Sequence, residues 1–219
     1  MFERTIDRVT SIPPLGPGFD GERHKAALVV APGNLPATDP FFLMADDNIT
    51  QGGPFGEAHP HAGLETVTFM LNGTMEDTGG RLEEGDVEWM TSGSGIVHAE
   101  DTLVSSGMRL FQLWLILPEA QRNMPPRVQV LRRAAMPVHA EPGVVATVYS
   151  GRSGEAAAPT LNAVPVTLID ADAQGLDRGL ARLRDNYAGS VARGKLAQVT
   201  QLAGLRGLPW LGRCVRALS

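Results

Sequence analysis

Two short runs in this 219-residue chain carry residues able to ligate a metal, His59-Pro60-His61 and His98-Ala99-Glu100. In an extended strand, residues i and i+2 point to the same face, roughly 6.6 Å apart along it. Each run therefore aims two donor atoms at a common point. Two such pairs on facing strands offer three imidazoles and one carboxylate, a set that suits Fe(II), Mn(II), Ni(II) or Zn(II). Four ligands on an octahedral ion leave two positions open, as an oxygenase or a hydrolase requires. The chain has five histidines, His24 and His139 being the others. A lone histidine is more often a surface or hydrogen-bonded residue; two i,i+2 pairs flanked by glycine-rich turns are a stronger signal.

The elements that must position these residues read as antiparallel β structure. Residues 65–71 are β-branched and aromatic and run into Asn72-Gly73, a hairpin-turn dipeptide. A return strand is expected over 74–77, with Gly79-Gly80 and then Gly85-Asp86 turning the chain again. Residues 87–90 and 96–100 read as strands on either side of the loop Gly93-Ser94-Gly95. The almost continuous apolar run 110–117, ended by Pro118, reads as a buried strand. Residues 125–143 read as a connection, and 144–149 and 164–170 as two further strands. Short strands separated by turns every eight to twelve residues or so indicate a sandwich or barrel.

Composition agrees and excludes several classes. The chain holds 25 Gly and 16 Pro, which favours turns and short strands over long helices. Its one cysteine, Cys214, rules out a disulfide framework and any cysteine-based zinc or iron–sulfur site. The start, Met1-Phe2-Glu3-Arg4, shows no basic-then-apolar leader, and no stretch approaches the ~18 apolar residues of a membrane helix. A cytoplasmic protein without a membrane partner is the expectation. The net charge of −5 makes it a poor binder of phosphate backbones, so no direct nucleic-acid partner is expected. That charge is uneven. From Arg178 onward eight basic residues face only Asp185, a net +7, which leaves −12 on residues 1–177.

Beyond the ligand pairs, Gly53, His59-Pro60-His61, Glu65 and Gly73 resemble the first cupin motif, and Gly85, Gly93-Ser94-Gly95 and His98 the second. The blocks 59–68 and 85–100, with Asp39-Pro40-Phe41-Phe42-Leu43 upstream and Phe111-Gln112-Leu113-Trp114-Leu115 downstream, resemble the pirin family over roughly residues 20–170. The resemblance implies an all-β cupin fold of jelly-roll-type barrels, a bicupin, with iron in the N-terminal barrel. Its ligands map onto His59, His61, His98 and Glu100. Glu65 is the rival carboxylate, since many other cupins place their ligand there; the family pattern favours Glu100 and leaves Glu65 a packing or supporting role. Three residues depart from the family pattern. Ala62 and Leu64 stand where Arg and Phe are usual, and Ser94 where Arg is usual. The loss of two cationic side chains bears on which anionic or phenolic ligand enters.

By the same resemblance, residues 1–135 are expected to form the metal-binding barrel and 136–177 to begin a second barrel. Residues 178–219 are an atypical basic tail, read either as a product of a shifted or shortened reading frame or as a segment docking on the acidic barrel. The activity implied is that of a quercetin 2,3-dioxygenase, opening a flavonol with O2, with Glu100 also taking the 3-hydroxyl proton. The alternative is an iron-dependent, redox-sensing regulator of a transcriptional or metabolic protein partner. Trp89 and Met90 read first as core; Met90 and Phe69, if both face inward, would line a dry pocket for an aromatic substrate.

Overall fold

The computed structural model describes residues 13–19, 21–33, 35–50, 57–99, 107–142 and 144–171. What was expected of the basic tail, Cys214 included, lies outside them. The described residues fall in two compact units, 13–136 with 159–166, and 137–158 with 167–171. Both are built of strands, as the short, turn-punctuated runs predict.

The larger unit holds β1 (Gly16–Gly18), β2 (Gly21–Val30), β3 (Phe41–Ile49), β4 (His59–His61), β5 (Leu64–Asn72), β6 (Met75–Asp77), β7 (Gly80–Leu82), β8 (Val87–Thr91), β9 (Ile96–His98), β10 (Met108–Ile116) and β11 (Arg127–Leu131). A seven-stranded antiparallel sheet runs β1-β2-β3-β10-β5-β8-β11, and β4–β9 and β6–β7 form two separate ribbons. The smaller unit has β12 (Val138–Glu141), β13 (Val144–Ser150) and β16 (Leu168–Ala171) in one sheet, and β14 (Arg152–Ser153) paired with β15 (Ala156–Ala157). The helical segments, Leu35–Thr38, Glu119–Gln121 and Arg133–Ala135, are single turns in the larger unit. No helix among the described residues is long and apolar enough to cross a membrane.

β5 lies inside the large sheet, between β10 and β8, and is buried on both faces from Glu65 to Met70. Strand alternation divides these residues cleanly. Glu65, Val67 and Phe69 share a face with Leu115, Leu113 and Phe111 of β10 and with Thr91, Trp89 and Val87 of β8. Thr66, Thr68 and Met70 share the other with Trp114, Gln112 and Leu110, and with Met90 and Glu88. On that second face Met70 and Leu110 pack with Ile49, Met75, Leu82 and Met108 into an apolar cluster. Phe69 and Met90 therefore stand on opposite faces and cannot line one pocket together, contrary to the sequence expectation. Trp89, fully buried on the first face, is core.

Three expectations about elements need correction. Residues 75–77 do form a strand, but β6 pairs forward with β7 and does not return along β5. The Asn72-Gly73 turn is held by the start of β10: Asn72 Nδ2 donates to the Gly107 carbonyl at 3.2 Å. Gly73 lies at φ +85, and a Cβ there would stand 3.0 Å from that same oxygen. The supposed connection 125–143 contains β11 and β12, because Val128 and Val130 alternate with polar neighbours and pair along β8. The strand expected over 164–170 is regular only from Leu168, since Pro165 denies the earlier part a ladder donor.

Candidate metal centre

The β4–β9 ribbon places His59 directly opposite His98 and His61 opposite Ile96. All three imidazoles consequently leave the same face of the ribbon, while Pro60 and Val97 on the other face are exposed. The ribbon is fixed from below by paired turns. Gly63 N–H donates to Gly93 O at 2.8 Å, Ser92 N–H to Leu64 O at 2.9 Å, and Leu117 N–H to Gly63 O at 3.1 Å. Gly93, at φ +50, sits so close to Met124 that a Cβ would overlap its carbonyl oxygen. The glycines flanking the histidine runs thus set the distance between the two ligand-bearing strands.

Donor nitrogens of His59, His61 and His98 lie within 4.8 Å of one another, the one such group able to hold a metal among the described residues. Hydrogen bonds assign two tautomers. His59 Nδ1 is 2.8 Å from the Glu57 carbonyl and His98 Nδ1 is 3.0 Å from Asp77 Oδ1; both partners only accept, so both Nδ1 atoms carry the proton. The two Nε2 atoms are left as lone pairs facing each other at 3.1 Å. Facing lone pairs repel, and a cation between them removes the conflict. Two nitrogens bound at about 2.1 Å and at right angles on one ion lie about 3.0 Å apart, close to the separation here. The residues present fit a divalent transition ion.

Electrostatics point the same way. Burial, with His98 and His59 adding to it and Asp77 opposing, pushes His61 down from an ordinary 6.5 to about 4. Its ring is therefore neutral and able to ligate near neutral pH. Burial would push the Asp77 carboxyl up, but the hydrogen bonds from His98 and the Thr78 amide (2.6 Å), with the electrostatic pull of the His98 ring and a bond to Glu88, outweigh it and hold Asp77 below the usual carboxylate range. Asp77 is therefore an anion on the back of His98, and its side chain is 1% exposed. Carboxylate–histidine–metal arrays of this kind fix the ring and raise its basicity.

The Pirin family model matches residues 26–115. A solved structure from Geobacillus kaustophilus, GK1651, is 38% identical with a TM-score of 0.67, over 75% of this chain and 67% of that one. The chain belongs to the pirin family. The pirin-like protein of Solanum lycopersicum is 34% identical over 60% of this chain and 47% of its own length. A quercetin 2,3-dioxygenase structure from Acinetobacter baumannii is 27% identical, TM-score 0.59, over 74% of this chain and 56% of that one. These neighbours share the cupin fold. The chain spans about half the length of the curated relatives it matches.

In this pirin-family chain the two carboxylates singled out by sequence take different courses. Glu65 is fully buried on the first face of the large sheet, away from the histidines. It accepts from Thr91 Oγ1 at 2.7 Å and from the amides of Ala163 and Val164 at 2.9 and 3.0 Å. Those bonds tie segment 159–166 to the sheet and leave Glu65 a packing carboxylate. Glu100 lies outside the described residues. Sequence reasoning missed Asp77, which stands 21 positions from His98 and reaches it only through the β6–β7 hairpin. It also missed the wall beside His61: the Trp114 ring meets His61 edge-on at 5.0 Å, and Phe42 lies nearly parallel to Trp114 at 6.2 Å. A cavity of about 380 Å³ opens against His98 and Asp77, with Glu76, Thr78 and Val97 on its walls.

Proposed function

We propose that the larger unit is a metal-dependent dioxygenase barrel, acting on flavonols of the quercetin type with O2. His59, His61 and His98 hold one divalent ion, Fe(II), and Glu100 completes the set. The observation that carries this reading is the 3.1 Å approach of two proton-free Nε2 atoms, with His61 neutral beside them. Bound there, the ion supplies Lewis-acid and redox chemistry toward a phenolic oxygen and O2.

The chain's own residues do the rest. Asp77 and the Glu57 carbonyl lock the rings of His98 and His59, so the donors do not reorient when a ligand enters. Trp114 and Phe42 give a flat aromatic substrate an apolar wall next to His61. Glu100 accepts the 3-hydroxyl proton of the flavonol. The dioxygenase structure among the neighbours supports the substrate class.

Oxygen uptake by the iron-loaded protein with quercetin tests the reading. Saturable turnover that is lost in His61→Ala is expected. Iron binding with no uptake across a series of flavonols would sink it and favour a redox-sensing regulator that binds a protein partner without turnover. The proton-transfer role fails separately if Glu100→Gln holds iron and opens quercetin at the wild-type rate.

A further inference from the structure

The smaller unit carries a cluster that the metal centre does not use. His139 and Glu141 lie two residues apart on β12, with Nε2 3.1 Å from Glu141 Oε1. On its other side, His139 Nδ1 is 2.8 Å from Ser153 Oγ at the end of β14. A carboxylate only accepts, so Nε2 carries the ring proton and Nδ1 turns its lone pair to the hydroxyl, which donates. Hydroxyl, imidazole and carboxylate stand in series, the order that activates a serine. Gly154 makes the approach achievable. It lies at φ +54, and a Cβ there would stand 2.5 Å from His139 Cε1, so a larger residue would drive the hydroxyl and the ring apart. Gly154 and Glu155 form the two-residue turn between Ser153 and Ala156, and both are exposed. Their amides are outside the strand ladder.

We propose that Ser153 is an acylatable nucleophile, with His139 as its general base and Glu141 holding the imidazole, and that it takes small activated acyl esters such as aryl acetates. The Ser153 Oγ–carbon bond forms as the carbon–aryloxide bond breaks. The hydroxyl proton passes to His139 Nδ1 and from there to the departing phenolate. Water then attacks the acyl-serine, gives its proton to the same nitrogen, and leaves free acid and the regenerated hydroxyl. The His139 and Glu141 side chains are 21% and 57% exposed, so the triad stands at the surface. Water screens the charge that develops on the acyl oxygen there, which limits the site to esters with good leaving groups.

The test uses the full chain and p-nitrophenyl acetate, following phenolate release and locating the acetyl group by peptide mass spectrometry. Acetyl on Ser153 is expected, absent in Ser153→Ala and formed roughly 10²-fold more slowly in His139→Gln. Ser153→Cys serves as a gain-of-signal variant, with a thiol that alkylates faster than the same cysteine variant carrying His139→Gln. Acetyl found only on lysines, or equal Ser153 acetylation with and without His139, overturns the proposal. So does equal alkylation of the two cysteine variants.

Discussion

Asp77 offers the sharpest handle on the metal centre, because its carboxylate is not one of the three clustered donors and bears on them through His98 Nδ1. The substitution Asp77→Asn keeps an oxygen where Oδ1 now accepts from His98 Nδ1 at 3.0 Å and from the Thr78 amide at 2.6 Å. The tautomer of His98 is thereby preserved and only the charge is removed. A hydrogen bond to a charged acceptor contributes about 1.5–3 kcal/mol, against about 0.5–1.5 for a neutral one. The difference, about 1–1.5 kcal/mol at this buried site, corresponds to roughly 5–12-fold weaker metal binding. Asp77→Ala also frees the ring to rotate and is expected toward the upper end of the roughly 10–100-fold range for lost supporting partners. Competition titration of Fe(II) or Ni(II) against a chromophoric chelator reads both constants. The ordering wild type, Asn, Ala is the prediction. Affinities for Asp77→Ala within twofold of wild type would show that His98 is held by something other than Asp77, and the reasoning would fail.

Glu65→Ala leaves the Thr91 hydroxyl and the amides of Ala163 and Val164 without their acceptor. At about 1–3 kcal/mol for each buried orphan, unfolding in urea is expected at least about 3 kcal/mol easier, with faster amide exchange at 163 and 164. Gly93→Ala forces a Cβ onto the Met124 carbonyl at a positive φ. A loss of about 2–3 kcal/mol is expected, together with weaker metal binding, because Gly93 spaces β4 from β9; unchanged melting would contradict it. The fourth prediction concerns pH in the metal-free protein. His61 titrates near 6.5 when unfolded but about 4 when folded, so the unfolded state binds the extra proton between those values. Stability is complete above pH 6.5 and falls as the pH drops toward 4, and urea midpoints for His61→Phe should fall less over that window.

The grouping of His59 with His61 was legible because a strand's period of two is local: His-x-His fixes a shared face wherever the run is extended. Strands β5, β6, β8, β9 and β10 were legible for the same reason, with glycine turns between them, whereas β7 was read only as a turn. Pairing was another matter. Whether 75–77 returns along β5 or pairs with 80–82 depends on Gly73 meeting Gly107, a contact between distant positions that no local pattern encodes. Asp77 and Trp114 became site residues only through that pairing and through the register of β10 on β5. The facing of Phe69 and Met90 could be derived only once Thr66 was known to oppose Met90. β11 was overlooked because Pro125-Pro126 suggested a connection, although the alternation of Val128 and Val130 was already present.

The central claim is that His59, His61 and His98 together hold one metal ion. Metal content of the purified full chain, measured by inductively coupled plasma mass spectrometry after reconstitution with Fe(II) and desalting, tests it most directly. One ion per chain is expected for wild type and for Glu65→Gln, and essentially none for His59→Ala, His61→Ala or His98→Ala. Full occupancy retained in all three histidine variants would contradict the account.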